Sequence, residues 1–479
     1  MSTLPLLIGG EERPSASGEL FETRDPATGE VIAELAAGGA DDVAAAVGAA
    51  RDAFDGGGDW WLPATRVRVL NRVAVLIRER EDALADLESR DTGKPISQAR
   101  ADVAAAARYF EFYAGAADKL DGRSIPLGPG FVDYTIREPW GVCAVIIPWN
   151  YPLQIAGRSV AASLAAGNAV VLKPAREAPL TCVEIGRICL EAGVPAGWLN
   201  VLTGSGDAVG MPLVTHPKVN HVSFTGSAAV GTVIGEACAR LIRPVVMELG
   251  GKSPNVVFSD ADLDRAMPFL IRSIVQNAGQ TCSAGARLLV HRTIHEALVE
   301  RVAERMRSLR IGPGSEDPDL GPLISEEQRQ GVLRLAGEAE ADGARLVTGG
   351  RAPVEERLAR GYFIEATLFD DVAPSAGIFQ EEVFGPVLVA AAFDDEDEAV
   401  ALANATEYGL VAAVWTNDLG RAHRVARRIR AGQVFVNTYG AGGGIELPFG
   451  GYGRSGHGRG KGLEGILEYS QVKNVCIAL

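Results

Sequence analysis

Apolar and polar positions follow two regimes along the chain. From Asp41 to Ala117 the apolar residues recur at three- and four-residue spacing, as at Val69, Val73 and Leu76, in a background of Ala, Arg, Leu and Glu. That spacing predicts helix. A turn-rich segment, 121–130, and an extended stretch, 131–137, follow. In the middle third the period changes to short apolar runs, each closed by turn chemistry: 142–147 before PWN, 169–172 before KPA, 199–202 before TGSG, 221–224 before TGS, 245–247 before ELGGKSP and 255–258 before SDAD. Helical stretches at 159–166, 180–192 and 231–240 lie between several of them. Strands alternating with helices predict a parallel sheet covered on both faces. Ligands of such sheets bind at the carboxyl ends of the strands, where these polar turns stand.

A second α/β block starts near Asp262, with helices expected at 264–277, 294–309 and 325–342 and strands at 288–291, 387–391 and 434–437. From Lys461 the tail reads as a short helix and an apolar final strand, 472–479. That strand needs a partner, either within the chain or across a subunit boundary, and the second is the favoured expectation.

Composition narrows the class. A chain of 479 residues exceeds the size at which one core stops growing, so two or more domains are expected. Hydrophobic residues at 47% and charged residues at 22% are ordinary for a globular protein. The formal net charge of -15 argues against nonspecific binding to nucleic acid or anionic membranes. The N-terminal stretch lacks the basic region and apolar core of a secretory signal, and no apolar run reaches membrane-spanning length. Six cysteines without a paired CxxC pattern give neither a disulfide framework nor a metal site, so no metal is expected. A reducing, cytoplasmic setting fits.

Chemistry concentrates at a few positions. Cys282 sits in GQTCSAGAR, a small-residue turn between helix and strand, flanked by Thr281 and Ser283. A free Cys is more often a small buried hydrophobe than a nucleophile, but the flanking glycines leave this sulfur open to a substrate. The other five, Cys143, Cys182, Cys189, Cys238 and Cys476, lie in apolar patterns and read as packing. Glu248 closes an apolar strand and precedes two glycines. It is either solvated loop charge or a site carboxylate, and a general base is what a thiol nucleophile requires. Asn150, in IIPWNYP, is a turn residue between prolines, or else the side-chain N–H donor of an oxyanion hole completed by the Cys282 backbone N–H. FTGSAAVG at 224–231 and TGSGDAVG at 203–210 place glycine and serine at strand-to-helix turns, where free N–H groups meet phosphate. Neither is the GxGxxG fingerprint, and each alone is weak evidence. Lys173 in VLKPA is placed to reach a ribose or phosphate.

Asn150 in PWNYP, Lys173 in LKPA, FTGS at 224–227, Glu248 in ELGGKSP, Cys282 in GQTCSAGAR, EEVFGPV at 381–387 and PFGGYGRSG at 448–456 occur in this order. Over essentially its whole length the chain resembles the aldehyde dehydrogenase superfamily. The resemblance implies a Rossmann-like parallel-sheet cofactor domain (1–118 and 139–249), a second α/β catalytic domain carrying Cys282 (250–447) and a small β oligomerisation extension (119–138 and 448–479). It implies oxidation of an aldehyde to a carboxylic acid with hydride transfer to NAD or NADP, through a Cys282 thiohemiacetal and a thioester hydrolysed by water that Glu248 activates. Asn150 would complete the oxyanion hole. Lys173 would hold the adenine-side ribose. Gly206, Gly226, Ser227 and Gly231 would run along the adenosine and pyrophosphate. Trp149 and Leu249 would border the cofactor cleft, Glu382 would hold the nicotinamide ribose and Phe384 would pack on the cofactor. Family members are homodimers or homotetramers.

The chain departs from common family patterns at four positions. Many NAD-using members carry Glu after KPA. Here Arg176 stands there, either attracting the 2′-phosphate of NADP or pointing to solvent while Lys173 serves NAD. Arg158 stands where many members have Trp, as it does in semialdehyde dehydrogenases. A charge in so apolar a helix start needs a partner, which is either an acidic group on the substrate or a protein carboxylate. Ser159 and Gly460 replace a Lys and a Glu that relay protons to the base in betaine aldehyde dehydrogenases, so that relay is not expected here. Two other readings stay open: a CoA-acylating relative, which has less need of Glu248, and a structural protein that kept the fold, against which Cys282, Glu248 and Asn150 speak.

Overall fold

A computed structural model describes residues 3–440 and 444–479. The first body is built on an eight-stranded sheet. Five parallel strands form its centre, in the order Val245–Glu248, His221–Thr225, Val142–Ile146, Ala169–Lys173 and Leu199–Val201. All five come from the apolar runs of the middle third. The four helices Ala40–Gly56, Pro63–Glu79, Glu81–Thr92 and Ile96–Ala116 account for the long helical region. The helices Pro152–Ala165, Leu180–Ala192 and Ala228–Arg240 connect the strands. The Pro152–Ala165 helix begins seven residues earlier than expected, because Pro152 takes the first-turn position where its missing N–H costs nothing. Three short antiparallel strands, which the sequence does not announce, extend the sheet: Leu6–Ile8 and Glu11–Arg13 at one edge, and Gly456–His457 at the other.

The second body holds a seven-stranded sheet with Arg287–His291 and Val387–Phe393 paired in parallel near its centre. The Leu263–Val275, His295–Arg307 and Glu326–Ala341 helices were anticipated, as was the Gln433–Val436 strand. The Arg345–Thr348, Thr367–Asp370 and Val411–Trp415 strands were not. Two separate apolar cores match these bodies. One draws on residues from Leu6 to Leu249 together with Ile445, Ile466 and Tyr469, the other on residues from Val256 to Ala431. This is the expected α/β class with two parallel-sheet bodies.

The tail departs from expectation in two ways. Its final strand, Ser470–Ala478, pairs within the chain, antiparallel to Phe131–Pro139 along its whole length. The in-chain partner is available because both strands leave the first body side by side. The stretch before it does not belong to that extension. Gly456–His457 joins the first sheet, and Ile466 and Tyr469 enter the first core. Among the described residues no helix is long and apolar enough to cross a membrane.

Candidate active site

The carboxyl ends of the parallel strands carry the polar residues singled out above. Val142–Ile146 runs into Pro148, Trp149 and Asn150. His221–Thr225 ends at Gly226 and Ser227, and Val245–Glu248 ends on the carboxylate itself. Cys282 approaches from the second body, on the turn before the Arg287–His291 strand.

That turn is held by steric and polar constraints. Asn277 and Ala278 have positive φ, 49° and 53°, a conformation that costs about 1 kcal/mol or more for residues other than glycine. At Gly279, φ is +73° and a Cβ would sit 2.1 Å from the Gly385 carbonyl, so only glycine fits. The Gln280 side chain donates to the Asn277 carbonyl at 3.0 Å and accepts from the Ile324 N–H at 2.8 Å. Across the two bodies, Asn277 Nδ2 donates to the Asn150 carbonyl at 2.9 Å, and Asn150 Nδ2 donates to the Gln280 carbonyl at 3.0 Å. The Tyr151 and Thr281 hydroxyls share a bond of 2.8 Å. An amide nitrogen has two hydrogens, so Asn150 keeps a second N–H beyond the one given to Gln280.

The Asn150 carbonyl also accepts from Lys94 Nζ at 3.0 Å. Lys94 is wholly buried between Asp102, at 2.5 Å, and Glu88, at 3.2 Å. Burial draws its pKa down, but the two carboxylates outweigh it and hold the ammonium above its ordinary range. Lys94, Asn277 and Gln280 therefore shape the site, and the sequence reading passed over all three. The signal available was a lone Lys at a helix-to-helix turn and two amides beside the nucleophile, none of which shows a partner until the chain folds.

Cys282 packs against Leu410, Val411 and Phe449 and is partly exposed. Its neighbours Thr281 and Ser283 line a cavity of about 1100 Å³, together with Gln154, Phe269, Tyr439 and Phe449. Burial pushes the thiol up to about 12, reinforced by the negative charges of Glu382 and Glu248; Arg158 and Lys461 oppose them. Glu248 is buried, and neither carboxylate oxygen accepts a hydrogen bond among the described residues. Burial raises its pKa to about 7, against the opposing charges of Arg158, Arg459 and Lys461. Glu248 and Cys282 thus lie within electrostatic reach of each other, and with the thiol held well above the carboxylate the sulfur ionises only when further positive charge or a bound group favours the thiolate.

The residues expected to hold a nucleotide lie past the ends of the first sheet's parallel strands and on the loop before the Val387–Phe393 strand. Ser227 Oγ caps the Ala228–Arg240 helix by accepting from the Val230 N–H at 3.3 Å. A Cβ on Gly231 would lie 2.7 Å from Leu249 Cδ2, so glycine lets this helix close on the strand end. A Cβ on Gly226 would lie 2.5 Å from the Phe224 ring, whereas Gly206 faces open space. Trp149 and Phe384 meet edge to face at 5.2 Å. Phe384 holds a positive φ of 54° and its carbonyl accepts from Gln328 Nε2 at 2.9 Å. The Gly251 N–H donates to Glu382 Oε1 at 3.1 Å. Burial raises the Glu382 carboxyl to about 7. Lys173 is buried with Nζ donating to the Pro174 carbonyl at 3.0 Å, and burial lowers its pKa to about 8. Arg176 is exposed, its guanidinium 5.0 Å from the centre of the Phe21 ring.

Arg158 is buried, and its Nη2 donates to Thr225 Oγ1 at 3.0 Å. The largest charge acting on Arg158 is Glu248.

Comparison with known proteins agrees with this arrangement. The model of the Aldehyde dehydrogenase family matches residues 13–475. Solved structures similar to this chain include an aldehyde dehydrogenase of Burkholderia cenocepacia described as putative, 51% identical over 99% of each chain at a TM-score of 0.97. Another is an aldehyde dehydrogenase of Bacillus cereus in complex with NAD+, 38% identical over 100% of this chain and 97% of that one, TM-score 0.97. A third is betaine aldehyde dehydrogenase of Staphylococcus aureus in complex with NAD+, 36% identical over 99% of this chain and 94% of that one, TM-score 0.97.

Proposed function

The chain belongs to the aldehyde dehydrogenase family, and from that premise we propose that it oxidises an aldehyde to a carboxylic acid, with Cys282 as nucleophile and Glu248 as general base. The observation that carries this reading is the pair of amide hydrogen bonds that locks the Cys282 turn onto the Asn150 loop, beside a cavity wide enough for an organic substrate and with the buried Glu248 carboxylate within electrostatic reach of the sulfur.

Glu248 takes the Cys282 proton, and the thiolate sulfur bonds to the aldehyde carbon. The oxyanion that forms accepts the remaining Asn150 Nδ2–H and the Cys282 backbone N–H. Bound NAD+ supplies the acceptor for the hydride that leaves this carbon. The product of that loss is a thioester on Cys282. Glu248 passes its first proton to solvent and then takes a proton from water, whose oxygen attacks the thioester carbon; the C–S bond breaks to release the acid, and the sulfur recovers a proton from Glu248 to restore the thiol.

The residues present fit the cofactor. Gly206, Gly226, Ser227 and Gly231 would carry adenosine and pyrophosphate on helix N-termini. Lys173 would hold the adenine-side ribose and Glu382 the nicotinamide ribose. Trp149, Leu249 and Phe384 would border the ring. NAD+ is the cofactor of both complexes above. NADP+ is accepted as well, through Arg176, which stands exposed past the end of the Ala169–Lys173 strand. We assign residues 1–118 and 139–249 to cofactor binding, 250–447 to catalysis, and residues 119–138 with the Ser470–Ala478 strand to association as a homodimer or homotetramer. That assignment is supported by the exposed apolar side chains of Phe131, Val132, Val472 and Ile477.

The test is NADH formation with a mixed panel of aldehydes. Cys282→Ala should lower it by about 10³-fold or more. Unchanged turnover in that variant would remove the reading. A requirement for CoA would replace hydrolysis by acyl transfer to a thiol.

A further inference from the structure

Gly460 is a glycine for reasons of space. Its φ is not in the left-handed region, and no turn requires it. A Cβ at this position would sit 2.9 Å from Glu248 Oε1 and 3.1 Å from both Cζ and Nη1 of Arg158. One point in the interior is therefore within contact distance of the carboxylate and of the guanidinium together. Any side chain at 460 would push the two apart.

Arg158 is directed to that point by its surroundings. It projects from the buried Pro152–Ala165 helix, and Thr225 fixes Nη2 from the strand adjoining that of Glu248. Tyr109, Tyr113 and Tyr469 surround it with hydroxyls from the Ile96–Ala116 helix and the tail. The Tyr113 hydroxyl donates to the Gly460 carbonyl at 3.4 Å, which ties the glycine to the same cluster. No direct ion pair joins Arg158 to any carboxylate among the described residues, and its Nε has no hydrogen-bond partner there. A buried guanidinium with so little direct pairing is costly unless a nearby opposite charge compensates it. Glu248 is that charge.

We propose that Arg158 is the positioning residue of the general base: it holds the Glu248 carboxylate in its charged form across the gap that Gly460 keeps clear. This inference rests on the reading of Glu248 given above. It gives Arg158 a role other than substrate recognition, and it supplies the base with a charged neighbour although position 159 is Ser and position 460 is Gly. Glu248 is also faced by Arg459 and Lys461 from the tail and by the Cys282 thiol from the second body. Of the cations acting on it, Arg158 acts most strongly.

The experiment compares pH profiles of steady-state turnover for the full-length protein, Arg158→Met, Arg158→Lys and Gly460→Ala. Each is assayed with an uncharged aliphatic aldehyde and with an aldehyde bearing a terminal carboxylate. Removing an opposite charge near a carboxylate should move the acid limb to higher pH by about one unit. We expect that shift in Arg158→Met with both aldehydes and the same ratio of their KM values as in the parent. Arg158→Lys should return the limb most of the way. Gly460→Ala, which places a methyl between the groups, should shift it in the same direction, and it carries the test if Arg158→Met does not accumulate in soluble form. An unmoved acid limb in both Arg158→Met and Gly460→Ala overturns the proposal. So does a rise of tenfold or more in KM confined to the carboxylated aldehyde, which would return Arg158 to substrate binding. Glu248→Gln is run alongside. If it keeps full turnover at every pH, Glu248 is not the base and the proposed mechanism fails, whatever Arg158 does.

Discussion

Asn277 in the second body donates its side-chain amide to the backbone carbonyl of Asn150 in the first, at 2.9 Å. The loop carrying Cys282 and the loop carrying Asn150 are thereby fixed to one another directly. Isosteric Asn277→Asp turns that donor into an acceptor facing two carbonyls, those of Asn150 and Gln280. Leaving buried acceptors unpaired costs about 1–3 kcal/mol. Turnover should fall by roughly tenfold or more with KM changing much less, because the register of the reacting groups is lost rather than the cavity. Steady-state kinetics and a thermal melt check this.

The acid side of the activity profile should report Glu248. Burial puts its pKa near 7, and the base works only when ionised. Activity therefore falls as pH drops through that value, by about tenfold per unit below it. Glu248→Gln should remove the limb and slow both thioester formation and its hydrolysis, so a stopped-flow trace should show slow NADH release without a full one-equivalent burst. A limb that survives in Glu248→Gln would assign it to another group.

Lys94 tests the support beneath Asn150. Lys94→Met leaves Glu88 and Asp102 buried without their cation. Breaking such a cluster costs about 3–5 kcal/mol, and the Asn150 carbonyl loses a donor as well. Denaturant titration should show the loss of stability. The double change Lys94→Met with Asp102→Leu should recover part of it.

Arg176 tests cofactor choice. Arg176→Ser should lower kcat/KM for NADP+ by about tenfold, the worth of one charge-assisted contact, and leave NAD+ nearly unaffected. Equal changes with both cofactors would show that Arg176 does not meet the 2′-phosphate.

Much of this architecture is readable before folding, and the reason is local. Val142–Ile146, Ala169–Lys173 and His221–Thr225 each end in a turn that announces itself, so both the strand and the polar residues at its end stand out. Val411–Trp415 and Thr367–Asp370 are followed by turn residues too, but both are short and buried on both faces, so neither shows the alternation of a half-exposed strand. Leu6–Ile8 is three residues long and is a strand only because Leu199–Val201 offers an edge. The same division holds in the site. Cys282 and Glu248 sit beside small residues, and Asn150 sits in a turn between two prolines. The environment of Arg158 is set by Thr225, Gly460 and three tyrosines from distant parts of the chain, and a glycine that matters for the volume it leaves open carries no local mark. The final strand was misjudged for a related reason: its apolar pattern calls for a partner without saying which one.

The pairing of Gly456–His457 beside Glu248 bears on the order in which a working molecule comes into being. A ribosome has already synthesised the nucleophile, the amide and the whole nucleotide cradle when this edge is still missing. The carboxylate strand then lies open on that side, without the Ser455 carbonyl that receives the Leu249 N–H and without Gly460 beside Arg158. In a nascent chain, or one clipped by a protease ahead of this tail, Glu248 therefore stands on an uncovered sheet edge, and the surroundings of that carboxylate are completed only once this stretch has been made and docked.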